Sequence, residues 1–230
     1  MFFPWPGVFE QIRLADIYIH YDDTQLPRGR SFMSRVQIKT PSGAQWLTAP
    51  IARNSDQRIL DTEFDESVDW RSKHLRTLQV NYARASMGAQ MLDLAQTVYR
   101  NPTRLLADFN IQGIETITGY FGLRPEFRRS SDRPSSSTSS QRLLELLLDV
   151  NASRYITGHG ARKYLNHELL EEHGIEVSYI NYQRRPYPQL YGSFDPHVTV
   201  LDLIANMGPS GRSVLCSELV PWRTFLNGQT

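Results

Sequence analysis

Apolar residues in this chain recur in two rhythms. Short runs alternate with polar neighbours, and longer runs repeat every three to four residues, so strands and helices are both expected. Residues 8–15 (VFEQIRLA) have helical spacing with Phe9 and Ile12 facing inward, and residues 16–21 (DIYIHY) alternate like a strand that stops at Asp22-Asp23. Residues 34–39 (SRVQIK) and 45–49 (QWLTA) flank Pro41-Ser42-Gly43-Ala44 and predict a β-hairpin. From Trp70 the period becomes helical, with Trp70, His74, Leu78 and Tyr82 four apart on one face. Further helices are predicted over 90–99 and 102–120, ending near Gly122.

Residues 130–140 (SSDRPSSSTSS) form the low-complexity segment, which is expected to be a mobile surface loop because serine-rich sequence has little apolar area to bury. Beyond it, 141–150 (QRLLELLLDV) reads as an apolar helix, 154–157 as a short strand, Gly158-His159-Gly160 as a turn, 161–173 as a helix stopped by Gly174, and 175–182 as another strand. That alternation predicts an α/β fold: a mainly parallel, Rossmann-like sheet flanked by helices, with the hairpin as an insertion and residues 70–122 as a helical segment. The 230 residues suffice for one substantial core, so a single domain over 1–230 is expected.

Composition excludes more than it assigns. The formal charge of +1, with both signs dispersed, gives no basis for bulk attraction to nucleic acid. Cys216 is the only cysteine, without a partner for a disulfide or zinc motif. No apolar run approaches the ~20 residues of a membrane span, and residues 1–20 lack a secretory leader pattern, so a cytoplasmic protein without membrane insertion is expected. No Walker loop, HExxH, GxSxG or paired-cysteine motif occurs, which favours a metal-free site and assigns no cofactor.

Candidate chemistry gathers near the start of the chain. Asp22 and Asp23 sit where a strand hands over to a loop, a place where α/β sheets bind ligands, and a carboxylate there can orient an amine or act as a general base or merely cap a turn. Arg28, Arg30 and Arg35 follow, with forked donors suited to carboxylate or phosphate. His74 titrates near neutrality and is either a general base or a hydrogen-bonded core histidine. The Gly158-His159-Gly160 turn offers backbone N–H groups to an anion but lacks a full dinucleotide fingerprint. Asp202 lies in an apolar stretch, where a carboxylate needs a partner, and belongs either to a structural network or to the site.

In this order along the chain, several motifs resemble the WbqC-like protein family. They are Phe2-Phe3-Pro4-Trp5 with Gly7 and Phe9; Tyr21-Asp22-Asp23 with Gln25, Arg28-Gly29 and Arg35; and Trp70 with Lys73-His74 and a later tyrosine. Then come Ser130-Ser131, Tyr155-Ile156-Thr157-Gly158 with Gly160-Ala161 and Tyr164, and Tyr187-Pro188-Gln189-Leu190 followed by Phe194, Pro196 and residues 199–208. Two departures stand out: Thr157 replaces the family's serine, and the Gln-Pro strand that usually precedes the Phe-Phe-Pro-Trp run is expected to be missing, because Met1 adjoins that run. The resemblance implies surface-polysaccharide biosynthesis, including O-antigen, and transfer of a glycyl or related aminoacyl group to an amino sugar. It implies Asp22, Asp23 or His74 as the base. It also implies a binding set of Trp5, Gln25, Arg28, Arg35, Ser130, Ser131, Gly158, His159, Tyr164 and Asp202 for a small molecule such as a nucleotide-linked sugar.

A fainter similarity, Pro-x-x-Gly followed by helix, strand and acid, points to nucleotidylyltransferase-type domains. Their two loop histidines are absent, since positions 5–9 read Trp-Pro-Gly-Val-Phe, so arginines would have to stabilise the phosphates. Two alternatives to acyl transfer therefore stay open: a nucleotide-dependent transferase or ligase on another small molecule, and a sugar-nucleotide-binding subunit without turnover.

Overall fold

The computed structural model describes residues 1–228. Helix α1 (Pro6–Leu14) starts with proline in its first turn, where the missing N–H costs nothing, and leads into β1 (Ile17–His20). The expected hairpin forms as β2 (Arg35–Thr40) and β3 (Gly43–Thr48). Gly43 turns it with φ +102°, a conformation that favours glycine.

Three helices follow: α2 (Trp70–Tyr82), α3 (Gly88–Tyr99) and α4 (Leu106–Tyr120). Asp69 starts α2 by accepting the Ser72 N–H at 3.1 Å. The buried residues of α2 are Trp70, His74, Leu78 and Tyr82, the face that the four-residue spacing predicts. They join Phe2, Phe9, Phe64, Phe109 and the apolar side of α7 (Val200–Met207) in the larger of two cores.

Strand β4 (Glu126–Arg129) pairs in parallel with β1, Ile17 opposite Glu126 through His20 opposite Arg129. The strands end level, and the chain leaves both at the same edge. Helix α5 (Ser139–Asp149), β5 (Arg154–Thr157), α6 (His167–Glu172), β6 (Glu176–Asn181), β7 (Glu218–Pro221) and α8 (Trp222–Asn227) enclose the second core around Leu144, Leu147, Leu170, Tyr179 and Phe225.

The fold is mixed α/β, but among the described residues no large Rossmann-like parallel sheet forms. Instead there are three small sheets: β1–β4 parallel, β2–β3 antiparallel, and β5–β6–β7, in which β5–β6 is parallel and β6–β7 antiparallel. Tyr18 of β1 packs on the first core, Val177 and Tyr179 of β6 lie in the second, and β7 runs antiparallel to β6. The helix expected over 161–173 is split. A 3-10 turn covers His159–Lys163, and Asn166 then accepts the Leu169 N–H at 3.1 Å to start α6 afresh. The serine-rich segment also departs from a free loop, because Ser130 is fully buried at its start and Ser139 begins α5 at its end. Among the described residues no helix is long and apolar enough to cross a membrane.

Candidate functional site

The acidic pair follows β1 directly, and Ser130-Ser131 follows β4, so parallel pairing brings the four residues together. Successive side chains of an extended segment point to opposite sides, and the two acids part accordingly. Asp22 is buried. Its Oδ1 accepts the Ser131 N–H at 3.1 Å and its Oδ2 accepts the Ser131 hydroxyl at 2.9 Å. Asp23 is half-buried; its Oδ1 lies 2.6 Å from the Ser130 hydroxyl and its Oδ2 accepts from Arg142 at 2.9 Å.

Ser130 Oγ lies 3.1 Å from Asp22 Oδ1 as well, but a hydroxyl has one proton. The shorter contact assigns that proton to Asp23, and Oγ in turn accepts the Asp22 N–H at 3.1 Å. Arg142, from α5, is buried and also donates to the Ser130 carbonyl at 2.7 Å. One guanidinium thus fixes both an acid after β1 and the backbone after β4.

The rim is aromatic and acidic. Tyr21 and Tyr164 are exposed, and Glu145, 3.8 Å from Arg142, accepts hydroxyls from Ser135 at 2.6 Å and Ser137 at 2.5 Å. Burial, followed by the Asp23 charge, raises the Tyr21 pKa, and burial pushes that of Tyr155 up to about 12, so both phenols stay neutral at pH 7. The serine hydroxyls hold the Glu145 carboxyl below its usual range. Carboxylates and neutral phenols therefore surround Asp23, and the buried Arg142 beside it is already paired. Such surroundings suit a ligand that carries hydrogen-bond donors or an amine.

Other predicted residues lie elsewhere. His74 is buried against Phe2 and Trp70, with Nε2 donating to the Thr48 carbonyl at 3.2 Å and Nδ1 accepting from the Tyr99 hydroxyl at 3.0 Å. Burial lowers its pKa to about 4, so it is a neutral, fully hydrogen-bonded core histidine with no nitrogen left to take a substrate proton. Asp202 is likewise engaged inside the fold: Tyr82 and Tyr187 donate to its two oxygens at 2.9 and 3.0 Å. Burial raises its pKa.

Gln25 donates to Asp56 at 2.8 Å on the surface, and Arg28 reaches the same carboxylate only at 4.0 Å with its side chain 91% exposed. Arg35 lies 3.4 Å over the Trp46 ring, committed to a cation–π contact. Trp5, Gly158 and His159 meet around Tyr182 at the junction of the two cores, with ring centroids of Trp5 and His159 4.9 and 5.1 Å from that of Tyr182. His159 Nε2 donates to the Ile180 carbonyl at 2.8 Å. At Gly158 a Cβ would lie 2.7 Å from Gln11 Nε2 and 2.9 Å from the Tyr182 hydroxyl, so a larger residue there makes those side chains shift.

Arg142 and Glu145 join the cluster around Asp23 without having been singled out from the sequence. The signal for Arg142 was present: it shares a helix face with Leu146, four residues on, which puts a guanidinium on the buried side of an amphipathic helix. Such a cation needs a carboxylate partner. Among the described residues no group of three or more His, Cys, Asp or Glu side chains is placed to hold a metal ion.

Comparison with known proteins agrees with the motif order. The chain is 33% identical over 211 residues to the uncharacterized protein Rv1507c of Mycobacterium tuberculosis (strain ATCC 25618 / H37Rv), a match covering 90% of each chain. No solved structure matches it. The model of the WbqC-like protein family matches residues 1–214, and the chain belongs to that family.

Proposed function

We propose that this protein transfers an aminoacyl group, glycyl or similar, to the amino group of a sugar, in polysaccharide biosynthesis. The observation that carries this reading is Asp23, a half-buried carboxylate at the ends of two parallel strands, oriented by Ser130 and Arg142 beneath exposed tyrosines. In that position Asp23 binds the acceptor amine and takes its proton. The amine nitrogen attacks the acyl carbonyl, the amide C–N bond forms, the bond from the acyl carbon to its carrier breaks, and the proton passes to the carboxylate. Arg142 balances the carboxylate charge and keeps it aimed. Tyr21 and Tyr164 supply flat faces for the sugar ring.

A second reading is sugar-nucleotide binding without turnover. It is favoured by the hydrogen bonds that already engage both oxygens of Asp23. The two readings separate in one experiment. The purified protein is screened by thermal shift against amino-sugar nucleotides, ATP and glycyl donors, where a ligand at a hundred times its Kd stabilises by about 2.7 kcal/mol. Those that bind are then incubated together and analysed by mass spectrometry for amide product. Product formed by the native protein but not by Asp23→Asn, with ligand affinity retained, supports transfer. Binding without product in either protein supports the second reading, and no shift with any ligand overturns both.

A further inference from the structure

Residues 133–138 (RPSSST) join the end of β4 to α5 without regular structure. All are exposed, Pro134 included, except the half-buried Ser137, so the segment adds nothing to either core. Its two ends are nevertheless fixed. Before it, Ser130 and Ser131 are hydrogen-bonded to Asp23 and Asp22. After it, the chain bends at Ser139 (φ +54°), and Ser140 Oγ accepts the Asn166 N–H at 2.9 Å. The middle is held through polar side chains: Arg133 lies 3.0 Å from Asp149, and the hydroxyls of Ser135 and Ser137 donate to the two oxygens of Glu145 at 2.6 and 2.5 Å. Ser135 Oγ also accepts the Ser137 N–H at 3.0 Å, so the two serines engage as a unit. Exposed contacts of this kind are readily replaced by water, and a segment with firm ends and such a middle opens locally without disturbing the core.

The contact with Glu145 is made at the candidate site itself. Glu145 lies one turn beyond Arg142 on α5, with Oε2 3.8 Å from the guanidinium that holds Asp23, and the Tyr21 phenol senses the charges of Asp23 and Glu145 together. The Glu145 side chain is 37% exposed, so a ligand beside Asp23 can reach it. Its two oxygens carry the chain's own hydroxyls, one on each. Two neighbouring hydroxyls of a sugar would make the same contact, since a carboxylate only accepts and each hydroxyl brings one proton.

We propose that residues 133–138 are a strap that closes one side of the Asp23 site, latched by Ser135 and Ser137 on Glu145, and that a sugar bound at Asp23 releases it by placing neighbouring hydroxyls on Glu145 in their stead. The identity of the ligand rests on the amino-sugar reading given above, whereas the latch does not. Serines and sugar compete for one carboxylate, so the latch weakens binding and binding loosens the strap.

The experiment is amide hydrogen exchange of the full chain with and without D-glucosamine, with ammonium chloride of equal ionic strength as control, and D-glucosamine affinity measured by thermal shift. With D-glucosamine, exchange across 135–138 should speed up while that of 20–24 slows; a ligand that merely covered the strap would slow both. Ser135→Ala/Ser137→Ala should keep the native melting temperature and speed exchange across 135–138 in the absence of ligand. It should also bind D-glucosamine about three- to tenfold more tightly, as for a binding-competent state populated about a tenth to a third of the time in the native protein. Glu145→Gln should speed exchange and weaken binding. Slower exchange across 135–138 with D-glucosamine, an affinity unchanged or reduced in the double-serine variant, or no binding of D-glucosamine to either protein would each overturn the proposal. Amide product enters none of these readouts, so the two readings fail separately. If no product forms but the exchange and affinity results hold, acyl transfer falls and the strap stands; if product forms but the double-serine variant behaves as native, the strap falls and acyl transfer stands.

Discussion

The contact between Arg142 and Asp23 ties α5 to the end of β1, and a double-mutant cycle tests it. The two side chains are 6% and 17% exposed, and the nitrogen–oxygen distance is 2.9 Å. Arg142→Met keeps most of the apolar stem but removes the donor for both Asp23 Oδ2 and the Ser130 carbonyl. Breaking a fully buried pair from one side costs about 3–5 kcal/mol, and water reaching the partly exposed Asp23 reduces that to about 2–3 kcal/mol here. Asp23→Asn leaves an amide oxygen for Arg142 but no counter-charge closer than Glu145 at 3.8 Å, so its cost is about 1–2 kcal/mol. In the double variant no uncompensated charge remains, and a coupling of about 1–2 kcal/mol should appear. The assay is urea unfolding at pH 7 with a common slope; a loss of about 2–3 kcal/mol lowers the midpoint by roughly 1 M. Additivity within about 0.3 kcal/mol would falsify the pairing, because independent groups add to that precision.

Three further outcomes follow from other parts of the molecule. Burial holds the His74 pKa near 4 against 6.5 when unfolded, so the unfolded chain binds the extra proton first and stability falls as pH drops from about 6.5 toward 4. The loss amounts to about 3 kcal/mol from this group, and His74→Gln should flatten the acid limb in urea midpoints measured at pH 7 and pH 4.5; an unchanged limb refutes the assignment. Gly158→Ala should destabilise by about 1–3 kcal/mol through overpacking, and Gln11→Ala, which removes the nearer obstacle at 2.7 Å, should recover part of the loss in melting temperature. Glu145→Ala removes the carboxylate that holds Ser135 and Ser137, so amide hydrogen exchange across residues 133–138 should speed up while that of β5 stays constant.

What the sequence made legible was local. The stripe of Trp70, His74, Leu78 and Tyr82, the hairpin turning at Gly43, and the strand before Asp22 all follow from periods of 3.6 or 2 within a dozen residues. Pairing at long range was not legible. Strand β4 reads Glu-Phe-Arg-Arg, with no run of β-formers, and its partner β1 lies more than a hundred residues earlier, so neither the strand nor the parallel pair shows in the text. Ser130 was missed as a buried residue for the same reason. A serine in a serine-rich run reads as solvated until β4 docks on β1 and carries it under Asp22 and Asp23. For His74 and Asp202 the folded chain supplies partners that the sequence does not show: Tyr99 and Thr48 for one, Tyr82 and Tyr187 for the other.

Adjacent acids with different surroundings should also fail differently when changed, and that separates architecture from chemistry. Asp22 holds the Ser131 backbone N–H and hydroxyl on its two oxygens, which ties the end of β1 to the end of β4. Asp22→Leu fills similar space but leaves that N–H and the polar groups around Ser130 without a buried acceptor, at a cost of about 2–4 kcal/mol. Asp23 is the more exposed of the two, and Asp23→Asn preserves its two contacts in outline at about 1–2 kcal/mol while removing the charge. Melting temperature should therefore fall steeply for the first and less for the second. Ligand-dependent chemistry should show the reverse in whatever fraction stays folded, with Asp22→Leu active per folded molecule and Asp23→Asn inactive. If Asp22→Leu folds with native stability yet loses all turnover, then Asp22 rather than Asp23 faces the reacting groups, and the division of labour drawn from the Ser131 and Arg142 contacts is reversed.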